Sequence, residues 1–297
     1  MYNNRKNIKC EKRILDFDET MDYADMMRCL DILCDRYDGD ISVISIGKSI
    51  FGREIPMICL GKGKKEILYV GAARGTDILC TSLLLRFINE YCEIRKSNRR
   101  IYNLNLRQLE ENRTVCVIPM LNPDGVDYVV NGVNKDNPFY SRLLSYNHGN
   151  NDFSMWEANG RGVDLCNNFA TDSNIGFESM PESEPESGAL GGIMRFNPNI
   201  KLLLEFRHGC GRIVYTSMSR VERERSIAQY MGRISGFAIG EADLEQCSGS
   251  LMAFGSEVQG IPSYTVFCGE TNSGGAHNFF KTYVGTRELM FVAPIAV

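Results

Sequence analysis

Apolar residues recur at helical spacing early in the chain. Between Asp22 and Tyr37 they fall at Met26, Met27, Leu30, Leu33 and Cys34, which predicts a helix with one buried stripe. Thr20 is a suitable cap before it. The pattern then changes to short apolar runs bounded by glycine and charged residues. Ile41 to Ile46, Glu54 to Leu60, Glu66 to Gly71 and Thr114 to Pro119 read as strands, and Thr81 to Glu93 as a helix packed on them. Residues 131 to 153 are rich in Asn, Gly and Ser and read as a long surface loop. Glu182 to Met194 reads as a helix opened by acidic residues, which suit the positive end of the helix dipole. Ile200 to Phe206 and Ser263 to Cys268 are almost continuously apolar, as in strands covered on both faces. Arg220 to Phe237 and Leu251 to Gln259 complete the predicted helices. Strands alternating with helices predict an α/β fold, a mixed and largely parallel sheet flanked by helices on both faces. In such sheets the chemistry collects at the carboxyl ends of strands, and Arg74, His208 and Phe267 lie at or just beyond such ends.

Composition narrows this picture. The chain has 297 residues, 43% hydrophobic and 24% charged, with a net charge of −4. That fits a single domain over residues 1–297, with 1–19 as a peripheral segment. Charges of both signs are interspersed, so neither a nucleic acid nor a membrane surface is an expected partner. No run reaches the roughly 18 apolar residues of a membrane span, and the polar N-terminus lacks the apolar core of a secretion signal. The eleven cysteines have no framework spacing, and Cys59, Cys116 and Cys268 fall in predicted strands; this points to reduced, buried thiols and a cytoplasmic location.

The turn Gly71-Ala72-Ala73-Arg74-Gly75-Thr76-Asp77 links a predicted strand to a predicted helix. Further along come Gly47-Lys48-Ser49-Ile50-Phe51-Gly52-Arg53, Asn122-Pro123-Asp124-Gly125, Arg161-Gly162-Val163-Asp164-Leu165-Cys166-Asn167-Asn168-Phe169, Ser183-Glu184-Pro185-Glu186, Phe206-Arg207-His208-Gly209 and Gly260-Ile261-Pro262-Ser263-Tyr264-Thr265-Val266-Phe267. In this order, over about Tyr23 to Val292, they resemble the zinc carboxypeptidases, the carboxypeptidase A-like metallopeptidases. The resemblance implies a zinc ion held by His, Glu and His, a glutamate base, an oxyanion-stabilising arginine and an Asn-Arg clamp for the substrate carboxylate. It places Arg74 and Asp77 at the first two ligand positions, His208 at the third and Phe267 at the base. Cys166 and Asn167 fall at the clamp, and Glu157 falls near a position that is often basic.

A guanidinium offers no lone pair to zinc and a phenyl ring accepts no proton. The chain is therefore expected to be a degenerate member without intact catalytic groups. It would need no cofactor and would keep a peptide-binding cleft, with Arg161, Cys166 and Asn167 as remnants of the substrate clamp. Arg161 and Asp164 also suit a purely loop-supporting role. Asp77 is a candidate for pairing with Arg74, whose guanidinium would then fill the metal position near His208. The alternative is an active zinc carboxypeptidase with a site rebuilt from His208, Asp77 and His277 or a cysteine. Glu270 would be a displaced base, Cys166 or Cys210 a soft ligand or thiol nucleophile, and His148 a solvated loop residue. The wording around Arg161 and Ser183 looks closer to bacterial enzymes acting on murein peptides than to digestive ones. A cell-wall peptide is therefore the expected ligand class.

Overall fold

A computed structural model of the protein describes residues 17, 20–171, 180–216, 221–243, 247–269 and 279–297. Its main sheet contains eight strands: β1 (Ile41–Lys48), β2 (Glu54–Leu60), β3 (Lys65–Gly71), β6 (Arg113–Ile118), β7 (Ile200–His208), β8 (Arg212–Thr216), β9 (Ala238–Ala242) and β10 (Ser263–Cys268). Two-residue strands β4 (Arg100–Ile101) and β5 (Leu104–Asn105) form a separate hairpin. The order across the main sheet is β1-β2-β6-β3-β7-β10-β8-β9. The centre, β6-β3-β7-β10, is parallel throughout, and antiparallel pairs flank it.

Successive residues of a strand face opposite sides of the sheet, and each side has its own core. Ile67, Tyr69, Leu202, Leu204, Phe206, Tyr264, Val266 and Cys268 face one side. Helices Tyr23–Arg36, Ile78–Lys96, Val221–Ser235 and Phe279–Val292 cover it. Leu68, Val70, Cys116 and Leu203 face the other side, under helix Pro185–Phe196 and the short turn of helix at Leu251–Ala253. This is the expected two-sided α/β architecture.

The differences from the sequence expectation lie at element ends, in sparsely apolar segments and at the unpredicted C-terminal helix Phe279–Val292. Asp22, not Thr20, caps the first helix, because its carboxylate accepts the N–H of Asp25 at 2.8 Å. The region expected to be a loop contains a helix at Tyr140–Tyr146, and Leu143 anchors it beside Phe153 and Trp156. Helix Pro123–Asn131 grows directly from the Asn122-Pro123-Asp124-Gly125 turn, with Asn122 as its cap. Strand β9 at the sheet edge has no apolar run to announce it, and β8 beside it carries only the short run Ile213-Val214-Tyr215. No described helix is long and apolar enough to cross a membrane. The described cysteines are free thiols.

Candidate functional site

The family-like segments meet at the carboxyl ends of β3, β7 and β10. After Gly71 the chain turns sharply, and Ala72 takes a left-handed φ of 47°. The amides of Leu121 and Asn122 close the turn on the carbonyls of Gly71 and Ala72. Gly75 then passes so close to the neighbouring loop that a Cβ there would lie 2.4 Å from the Trp156 carbonyl oxygen. Its N–H donates to the carbonyl of Glu157 at 3.1 Å. This approach brings Arg74 beside Glu157.

The Arg74 guanidinium points along the loop rather than toward Asp77. Nη1 lies 2.9 Å from Glu157 Oε2, and Nη2 lies 3.2 Å from Asp164 Oδ2. Asp77 meets Arg74 only through the backbone, where the Arg74 N–H reaches Asp77 Oδ2 at 3.3 Å. The expected side-chain pair Arg74–Asp77 is therefore corrected. The guanidinium beside Asp77 belongs to Arg207, with Nε 4.0 Å from Oδ2. Asp77 is buried, and its Oδ1 accepts the backbone N–H of His208 at 2.8 Å. Burial pushes its carboxyl up to about 6, and Arg207 offsets part of that rise.

Arg207 was not singled out in the sequence, yet strand register puts it in the cleft. β7 and β10 run parallel, with Arg207 opposite Phe267 and His208 opposite Cys268. Register partners on adjacent strands project from the same face, so Arg207 and Phe267 share one face and His208 takes the other. The pairing of Thr265 with Glu205 follows the same alternation, and Cys268 packs in the core of the opposite side. The Arg207 guanidinium carbon lies 5.5 Å from the centroid of the Phe267 ring. His208 was expected at the third ligand position; its place on β7 is one residue past the cleft-facing one. Signals were available, because Glu205 and Arg207 are charged residues at alternate positions of the otherwise apolar segment Leu202–Arg207.

The remaining cleft residues also favour internal contacts. Cys166 is buried, with Sγ 3.4 Å from Glu205 Oε1, and Glu205 Oε2 accepts from the Thr265 hydroxyl at 3.0 Å. Burial, followed by the charge of Glu205, holds the Cys166 thiol far above its ordinary range, which opposes a nucleophilic role. Asn167 is exposed and donates to Asp164 Oδ2 at 2.9 Å. Arg161 lies outside this cluster. Its Nε and Nη2 reach the two Glu184 carboxylate oxygens at 2.7 and 2.6 Å, so it braces two loops. Cys210 and His148 are exposed, and His148 stands apart on its loop. Glu270 and His277 lie outside the described residues.

The family model for zinc carboxypeptidases matches residues 26–226. The chain belongs to the zinc carboxypeptidase family. A gamma-D-glutamyl-L-diamino acid endopeptidase 1 of Lysinibacillus sphaericus is 27% identical over 76% of this chain, and the match spans 60% of that protein. Among solved structures, thrombin activatable fibrinolysis inhibitor superposes with a TM-score of 0.74 at 17% identity, covering 94% of this chain and 74% of its own. Murein-tripeptide amidase MpaA from Escherichia coli O157 does so with a TM-score of 0.52 at 14% identity, covering 86% and 91%. These likenesses establish the carboxypeptidase fold.

The family is zinc-dependent, but the described cleft residues do not fit zinc. Two of the groups converging there are guanidiniums, and Asp77 is engaged by two backbone amides and faces Arg207. Catalytic zinc takes three protein ligands, and among the described residues no cluster of three His, Cys, Asp or Glu side chains could hold a metal ion.

Proposed function

We propose that this chain is a noncatalytic carboxypeptidase homologue whose cleft binds a peptide without cleaving it. The observation that carries the reading is the contact between Arg207 and Phe267. A guanidinium resting on a phenyl ring stands where this chemistry needs a metal ligand facing a proton-accepting carboxylate. The cleft also presents Glu157, 51% exposed, near a position that the resemblance implies is often basic. A negative charge there opposes the charge that develops during peptide hydrolysis.

The names of two similar proteins, an endopeptidase of γ-D-glutamyl-diamino acid bonds and a murein-tripeptide amidase, support a murein-type peptide as the ligand class. The free thiols of the described residues support a reducing, cytoplasmic setting, where such a peptide would be a turnover fragment.

The test has two parts on the full chain. Elemental analysis after zinc loading and dialysis is expected to find far less than one zinc per chain. Calorimetric titration with a γ-D-glutamyl-diamino acid tripeptide is expected to show saturable binding, with the peptide recovered intact. Zinc-dependent release of a residue from that peptide would overturn the reading in favour of a rebuilt active site.

A further inference from the structure

The loss of a divalent cation leaves a family cleft with carboxylates and no counter-charge, and here a side chain supplies one. We propose that Arg207 is the internal cation that replaces the metal, set at the true third ligand position. The inference rests on the cleft described above, but does not require that a peptide binds there.

Three observations converge on Arg207. Its strand register matches Phe267 and its alternation matches Glu205, so it projects into the cleft while His208 does not. Its Nε lies 4.0 Å from Asp77 Oδ2, the retained carboxylate of the first metal-binding segment. Its guanidinium carbon is 5.5 Å from the Phe267 ring centroid. The guanidinium side chain is 17% exposed, so these contacts are largely shielded from water. A buried guanidinium gains from the negative face of an aromatic ring as well as from a carboxylate. The two changes therefore fit together. Once arginine occupies the ligand position, a phenyl ring at the base position holds it without adding a further carboxylate. Arg74 serves the rim in a similar way, between Glu157 and Asp164.

Substitution can separate Arg207 from His208 as the third ligand position. R74H alone would complete a His-Asp-His set only if His208 faced the metal volume. R74H/R207H completes that set on the cleft face. After zinc loading and dialysis, R74H is expected to retain no more zinc than the unmodified chain. R74H/R207H is expected to retain about one zinc per chain, the stoichiometry of a three-ligand site. Equal retention by the single and double variants would overturn the proposal, as would no retention by the double.

The counter-charge role has its own readout. R207M should lower the thermal unfolding midpoint at pH 8 by several degrees, and adding D77N should recover part of that loss. An R207M chain as stable as the unmodified one, or a D77N/R207M chain no more stable than R207M, would overturn the proposal. If R207M fails to fold, folding of D77N/R207M supports the proposal, and failure of both overturns it. A failed peptide titration leaves all of these outcomes intact.

Discussion

Two walls of the same cleft differ in how the family-like segments are used. In the outer wall, those segments bind one another. Arg53 reaches Asp124 at 2.7 Å and Asp127 at 2.6 Å, joining the Gly-Arg hairpin to the Asn-Pro-Asp-Gly turn. Asn159 and Arg161 both donate to Glu184, and Asn168 donates to Ser183 Oγ at 3.2 Å while accepting from Ser187. On the floor, at Asp77, Cys166, Arg207 and Phe267, residues meet as an ion pair, a thiol–carboxylate contact and a cation–π pair. The difference separates two roles that a motif mixes together. The matching residues hold loops in place, whereas the departures collect where reacting atoms would sit. On the reading proposed above, a carboxypeptidase fold persists after its chemistry is replaced, because different side chains support each.

The largest test of this division falls on the outer wall. Glu184 is buried, and Arg161 is the arginine bound to both its carboxylate oxygens. Arg161→Ala leaves a buried carboxylate without its cation, at a cost of about 3 kcal/mol, the low end for buried pairs, because the Arg161 side chain is 35% exposed and Asn159 and Ser183 still donate to Glu184. Chemical denaturation should show that loss as a lower midpoint with an unchanged slope. A loss below about 1 kcal/mol would mean that the outer wall does not carry the fold, on the scale of exposed pairs.

Glu186 gives a pH-dependent version of the same test. It is fully buried and accepts from the Ile50 N–H at 3.2 Å, with Asp124 and Glu184 as neighbouring acids. Burial is the main cause that pushes its carboxyl from 4.5 up to about 7. A raised folded-state value means that the native protein holds this proton more tightly than the unfolded chain. The resulting stabilisation is complete below about pH 4.5 and is lost as pH rises through about 7. Glu186→Gln stays neutral throughout. Its advantage should be absent at acid pH and grow to on the order of 3 kcal/mol above neutrality. Unfolding curves measured across this range check both sign and window, and an advantage that grows toward acid pH would contradict the assignment.

The parts of the molecule legible in sequence share a physical reason. Central strands carried dense apolar runs, and β2, β3, β6, β7 and β10 were all anticipated within a few residues. Ordered motifs led to the fold through resemblance. Edge strand β9 has Ile239 as its one large apolar residue, and that is 40% exposed; β8, second from the edge, is only five residues long; and Tyr140–Tyr146 buries only Leu143. In the cleft, motif position draws attention to Arg74, Phe267 and Cys166. The proposed move of the third ligand position from His208 to Arg207 is a slip of one residue. On a strand, that slip exchanges cleft for the opposite face, so it changes the chemistry while leaving the element intact. Motif spelling drew attention to the histidine; the alternation of Glu205 and Arg207 pointed to its neighbour.

The smallest expected effect lies at the cleft rim and tests whether the floor is separable from the scaffold. Arg74 and Glu157 are 2.9 Å apart, with side chains 22% and 51% exposed. Water and salt screen such a pair, and Arg74 keeps Asp164 at 3.2 Å when Glu157 is neutralised. The close loop contact also survives, because the Gly75 N–H uses the backbone carbonyl of residue 157. Glu157→Gln should therefore change unfolding stability by no more than about 1 kcal/mol, with the difference shrinking at high salt. A loss comparable to that of Arg161→Ala would show that the rewritten rim has become structural, and that the two walls no longer divide fold from site.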